Sequence, residues 1–82
     1  MDEMPDEIVQ ILGSKKAEDM AMEVVYRNYK GEVKDRKIIP LKIYYGHNEY
    51  HTGDQWLLKV WDLDKRDYRE YAFRDILEWK KV

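Results

Sequence analysis

Gln55-Trp56-Leu57-Leu58-Lys59-Val60-Trp61-Asp62 is the stretch that decides the fold. Trp56, Leu58 and Val60 alternate with Leu57, Lys59 and Trp61, a period of two, so the segment predicts a strand with apolar residues on both faces. A strand of that kind is expected at the centre of a sheet.

Strand signals continue on either side. Met22, Val24, Tyr26 and Asn28 share one face of a strand, with Glu23, Val25, Arg27 and Tyr29 on the other. Lys30-Gly31-Glu32 reads as a tight turn, and Val33–Ile39 returns as a second strand. Pro40 cannot donate to a ladder, so it predicts an edge or a bend before a further strand at Leu41–Tyr45. The glycine-bracketed segment 46–54 is polar and long for a hairpin loop, which marks it as a candidate functional loop. After the charged turn at Leu63–Asp67, strands are expected at Tyr68–Phe73 and Leu77–Val82, with a single helical turn at Arg74–Ile76 between them.

The N-terminal segment has a different period. Asp2-Glu3-Met4-Pro5-Asp6-Glu7 carries the acids and proline of a helix start, and Ile8, Ile11 and Leu12 fall at helical spacing before Gly13. A short helix over about 5–12 is predicted, which must cover its apolar stripe with the domain or with another copy of it. The division expected is therefore 1–19 as helix and linker and 20–82 as one β domain. Five or six antiparallel strands with no crossover helix predict a mainly β chain, a small barrel or roll.

Composition narrows the function. The 82 residues hold one core, and seven tyrosines and three tryptophans must supply much of it. With no cysteine there is no disulfide, no thiolate metal site and no cysteine nucleophile, in keeping with a reducing cytoplasm. No apolar run is long enough to cross a bilayer, and residues 1–13 lack the pattern of a signal peptide. A net charge of −2 does not suit a general nucleic-acid coat. Six of the acids lie in the first nineteen residues, however, leaving the remainder slightly basic and able to form a local basic patch.

No catalytic set emerges, since the single serine, Ser14, lies in the expected linker and no carboxylate pair stands out. No cofactor is implied. His47 and His51 are four apart, but the zinc-binding pair at that spacing sits on a helix, whereas this segment reads as a solvated loop. Trp56, Leu58, Tyr71, Phe73 and Ile76 are read as core.

Three segments together resemble the WYL domain of bacteria and their phages. Arg36-Lys37-Ile38-Ile39-Pro40-Leu41 is similar to the family's Arg followed four positions later by Pro. Trp56–Asp62 occupies the place of the Trp-Tyr-Leu triplet and its following Asp, with Leu57 where the family has Tyr. Arg69-Glu70-Tyr71-Ala72-Phe73-Arg74-Asp75-Ile76 is similar to the family's Arg, aromatic and terminal Ile, with Asp75 where many members carry a basic residue. The resemblance implies an Sm/SH3-like antiparallel barrel whose basic face recognises nucleotides or short single-stranded nucleic acid, as a regulatory sensor or a sequestering protein. It carries Arg36 and Arg69 over as ligand contacts, because arginine forks match phosphate and exposed rings stack bases at about 1–3 kcal/mol each. Arg27 and Tyr29 join them from strand alternation, Trp61 from its place beside a turn, and His51, with Tyr50 beside it, as a hydrogen-bonding loop residue. The alternative is a structural or protein-interaction module that forms homo-oligomers through barrel edges and the N-terminal helix.

Overall fold

The structure, a computed structural model, describes residues 4–82. Asp2 and Glu3 of the expected helix start lie outside the described residues. Two short helices, α1 (Asp6–Leu12) and α2 (Lys16–Met20), precede strands β1 (Met22–Arg27), β2 (Val33–Gly46), β3 (Gln55–Asp62), β4 (Asp67–Ala72) and β5 (Ile76–Lys81). A single 3-10 turn, Phe73–Asp75, joins the last two strands. None of these helices is long and apolar enough to cross a membrane.

All five strands form one antiparallel sheet in the order β4-β3-β2-β1-β5. The mainly β, antiparallel expectation holds. Closure into a barrel does not follow from the pairing, because among the described residues β4 is bonded only to β3 and β5 only to β1. Two further expectations are corrected. The segment read as a linker contains α2, and the two strands expected around Pro40 are one strand of fourteen residues, β2. The register slips between Pro40 and Lys42, so the missing proline donor is absorbed as a bulge that bends the strand without ending it.

The centre of the sheet is β2, not β3 as the sequence predicts; β3 lies between β2 and β4, is apolar on both sides, and each side has its own cluster. Leu58 and Val60 face inward with Val24, Tyr26, Ile38 and Tyr71, and Phe73 and Ile76 close that core from the 3-10 turn and β5. Trp61 faces outward with Ile39, and the fully buried Ile8 of α1 seats on both. The helix thus covers Ile8, and in part Ile11, within its own chain, while Leu12 of the same stripe stays exposed. Tyr68 adds a second attachment, its ring edge-on to Trp61 at 5.1 Å and its hydroxyl donating to the Glu7 carboxylate at 2.6 Å. Trp56, read as core, is 56% exposed and packs edge-on against Tyr45, its partner across the ladder. The sheet gives no cover at that end, where both residues are among the last rungs of the β2–β3 pairing.

Candidate functional site

The inner face of the sheet changes character along its length. On β2 it carries Ile38, then Arg36, then Lys34, opposite Met22, Val24 and Tyr26 of β1. On β4 it carries Tyr71 and Arg69, opposite Leu58 and Val60 of β3. Residues directly opposite on an antiparallel pair share a face, so Arg36 and Arg69 continue the face of the core and emerge where apolar residues give out. The register thus puts both on the core side of the sheet.

At that end a cavity of about 640 Å³ opens between the sheet, the β1–β2 turn and the β2–β3 loop. Arg36, Arg69, Tyr29 and His51 all line it, together with Tyr71 and Tyr50. Arg27 and Trp61 do not. Arg27 Nη2 bonds to the Asp75 carboxylate at 3.1 Å, beside the 3-10 turn, and Trp61 is 3% exposed beneath α1.

Asp62 organises the floor. It lies in phase with Leu58 and Val60, and its carboxylate is 1% exposed. One oxygen accepts the backbone N–H groups of Asp64 and Lys65, both at 2.9 Å, and so shapes the β3–β4 turn. The other lies 3.9 Å from Arg36 Nε. That leaves the terminal nitrogens of the Arg36 guanidinium without an ion-pair partner among the described residues. The Tyr71 hydroxyl is also buried and has no hydrogen-bond partner among the described residues, although its ring stacks on Tyr26 at 4.0 Å. Burial, and secondarily the negative charge of Asp62, push the Tyr71 phenol up to about 12, so it remains a neutral O–H in this site. An unsatisfied buried hydroxyl costs free energy, and Tyr71 is also one of the residues that line the cavity.

The walls are two turns held by asparagines. Asn28 Oδ1 accepts the N–H groups of Lys30 and Glu32, and Gly31 adopts φ 83° to close that turn. Asn48 Oδ1 accepts those of Tyr50 and His51, while its amide nitrogen donates to Glu70 at 2.8 Å. The Tyr44 hydroxyl donates to the same Glu70 carboxylate. These donors hold Glu70 below the usual carboxylate range, with Tyr44 the larger influence, and Tyr44 is in turn raised to about 12 by burial and by Glu70. The β2–β3 loop is therefore moored to β4, which presses His51 into the site at 8% exposure. The other histidine, His47, pairs with Asp54 at 2.8 Å on the surface.

The lining is balanced in charge. Lys34, Arg36, Lys65 and Arg69 supply cations. Glu32, Glu49, Asp62 and Glu70 supply as many carboxylates, although Asp62 and Glu70 are occupied by the turn and the loop they hold. Arg69 is partly engaged as well, by Asp67 at 3.0 Å. Among the described residues no group of three or more histidines and carboxylates could hold a metal ion. Sequence reading missed Asp62 and Tyr71 as parts of the site. The available signal was Asp62 itself, an acid in phase with an apolar face of β3.

No family model, curated protein or solved structure matches the chain.

Proposed function

We propose that this protein is a non-catalytic ligand-binding module that takes a nucleotide or a short single strand of nucleic acid into the cavity between β2, β4 and the two asparagine-held turns. The observation that carries the reading is the convergence of Arg36 and Arg69, from strands not adjacent in the sheet, on one concavity that Tyr71 also lines. A volume of about 640 Å³ lies in the range of small-molecule sites. Arginine forks suit phosphate oxygens, and the exposed rings at the mouth suit bases. The bent β2 and the strand order are in keeping with a rolled Sm/SH3-like barrel, and the reading agrees with the resemblance to the WYL family, whose basic positions Arg36 and Arg69 would be. In that role the protein acts as a sensor or as a sequestering partner for a nucleotide signal.

Titration calorimetry with cyclic dinucleotides, ADP-ribose derivatives and short oligonucleotides tests it. Binding by at least one class is expected, weakened about tenfold or more by Arg36→Ala, in proportion to the loss of a charge-assisted hydrogen bond. No heat from any of them would sink the proposal.

The two free edges support a second reading, self-association. β5 is paired on one side only and exposes Leu77 and Trp79, and an unprotected edge is a template for another strand. On α1, Ile8 is already seated on Ile39 and Trp61, while Val9 and Leu12 remain exposed. A monomer by light scattering at micromolar concentration would count against it.

A further inference from the structure

Tyr29 and Tyr50 stand at the mouth of the cavity, 74% and 66% exposed, on turns that come from opposite sides of the site. Their ring centroids are 6.3 Å apart and the rings are tilted by 33°. Neither is packed into either core cluster. We propose that Tyr29 and Tyr50 form a slot for one planar heteroaromatic ring, and that the ligand of the cavity is a free mononucleotide whose base lies between them and whose anionic tail reaches Arg36. This assignment rests on the cavity being the ligand site and specifies what it takes.

The spacing decides the thickness of the occupant. Non-bonded carbon atoms are best separated by about 3.5 Å, so a ring sandwiched between two others needs about 7 Å between them. From 6.3 Å and a 33° tilt, levelling the rings and parting them by under 1 Å admits a single layer. The backbone beneath each ring is fixed while the ring is free. Asn48 binds the Tyr50 N–H directly at 2.9 Å, and Asn28 binds the residue after Tyr29, also at 2.9 Å. The slot is therefore preorganised at its base and adjustable at its tip, which limits the ordering cost of binding to two χ angles per tyrosine.

The floor decides the rest of the ligand. The same cavity is lined by Arg36, whose Nε lies 3.9 Å from Asp62 and whose terminal nitrogens have no ion-pair partner among the described residues, and by Tyr71, whose buried hydroxyl has no partner among them. Together they offer donors for one compact anionic group. A strand of nucleic acid presents a run of phosphates and needs a surplus of cations along its path. The lining has four carboxylates for its four lysine and arginine side chains, which suits one phosphate and not a run.

The test uses the full chain and AMP, GMP, CMP and UMP as probes, with ribose 5-phosphate and a ten-residue oligothymidylate as controls. Mononucleotides are expected to bind, with base protons displaced upfield in NMR spectra by the flanking rings. Tyr29→Leu and Tyr50→Leu are each expected to weaken binding about tenfold, and Tyr50→Phe to preserve it, because stacking needs the ring and not the hydroxyl. Both side chains are exposed, and an unchanged unfolding midpoint confirms that the variants fold. If ribose 5-phosphate binds as tightly as the nucleotides, or Tyr50→Leu leaves their affinity unchanged, the slot is overturned while the cavity stands as a binding site. If the oligonucleotide alone binds, the free-nucleotide class is overturned. If nothing binds, the slot and the cavity reading fall together.

Discussion

Arg36 and Asp62 face each other at 3.9 Å on the inner side of the sheet, and the carboxylate that aims the guanidinium also ties the β3–β4 turn through Asp64 and Lys65. Fold and site thus share one buried charge. Asp62→Ala removes two hydrogen bonds to a charged acceptor and leaves Arg36 half-buried without its counterion. The expected loss is about 2–4 kcal/mol of folding stability, read by urea unfolding. Asp62→Asn retains an acceptor for the turn and should cost less. A loss below about 0.5 kcal/mol for Asp62→Ala would mean that neither contact contributes.

Tyr71 is expected to behave in the opposite sense. Its hydroxyl is desolvated without a partner, so Tyr71→Phe should leave stability unchanged or raise it by up to about 1 kcal/mol, while weakening ligand binding several-fold through the lost hydrogen bond. A clear loss of stability in the free protein would contradict the description of that hydroxyl as unpartnered.

The mooring of the β2–β3 loop has a pH window. Glu70 is lowered from 4.5 in the folded protein, chiefly by the Tyr44 hydroxyl, so its contribution is complete above pH 4.5 and is lost as pH falls through the depressed value. Tyr44 is raised from 10.0 to about 12, so its contribution is complete below pH 10 and is lost as pH rises toward 12. The Tyr50 and His51 amides should therefore hold their chemical shifts across the neutral range and move in acid. Glu70→Gln should abolish the acid step. An acid step that survives that substitution would place the mooring elsewhere.

Much of this architecture was legible in the residues because strand period is a local property. The alternation at Trp56–Trp61 correctly made β3 an interior strand apolar on both faces, although β2 and not β3 is the middle of the five, and the helical spacing of Ile8 and Ile11 marked α1. What the residues could not supply was set by pairing across the sheet. Pro40 reads as an interruption, yet a bulge opposite Val60 lets β2 run through it. Trp56 has the same phase as Leu58, but lies where the sheet offers it only Tyr45. Arg36 and Arg69 look solvated in isolation, and only their partners Val24 and Val60 show that they extend the core face. Of the predicted ligand residues, Tyr29, Arg36, His51 and Arg69 gather at one cavity, while Arg27 is taken by Asp75 and Trp61 by the helix.

The helix seat can be tested by itself. Ile8 is fully buried against Ile39 and Trp61, and Ile8→Ala should cost about 2–4 kcal/mol, the range for deleting three methylene equivalents from a core. Because α1 lies on the outer side of the sheet, the same variant should leave the ligand affinity of the folded protein unchanged. A parallel fall in affinity would show that the two faces are coupled.

The contrast between β5 and the other strands has a consequence for the order in which the molecule comes apart. β1 to β4 are zipped neighbour to neighbour, each paired with the next strand in the chain, whereas β5 must return from the far end of the chain to lie against β1, Lys81 opposite Met22. Closing that long circuit is the step with the greatest entropic cost. β5 also has few buried side chains to repay it, for only Ile76 is drawn toward the interior. Its amides should therefore exchange with solvent ahead of those in β3, and a protease finding the native protein should enter near the C-terminus, while the strands that carry Arg36 and Arg69 stay folded.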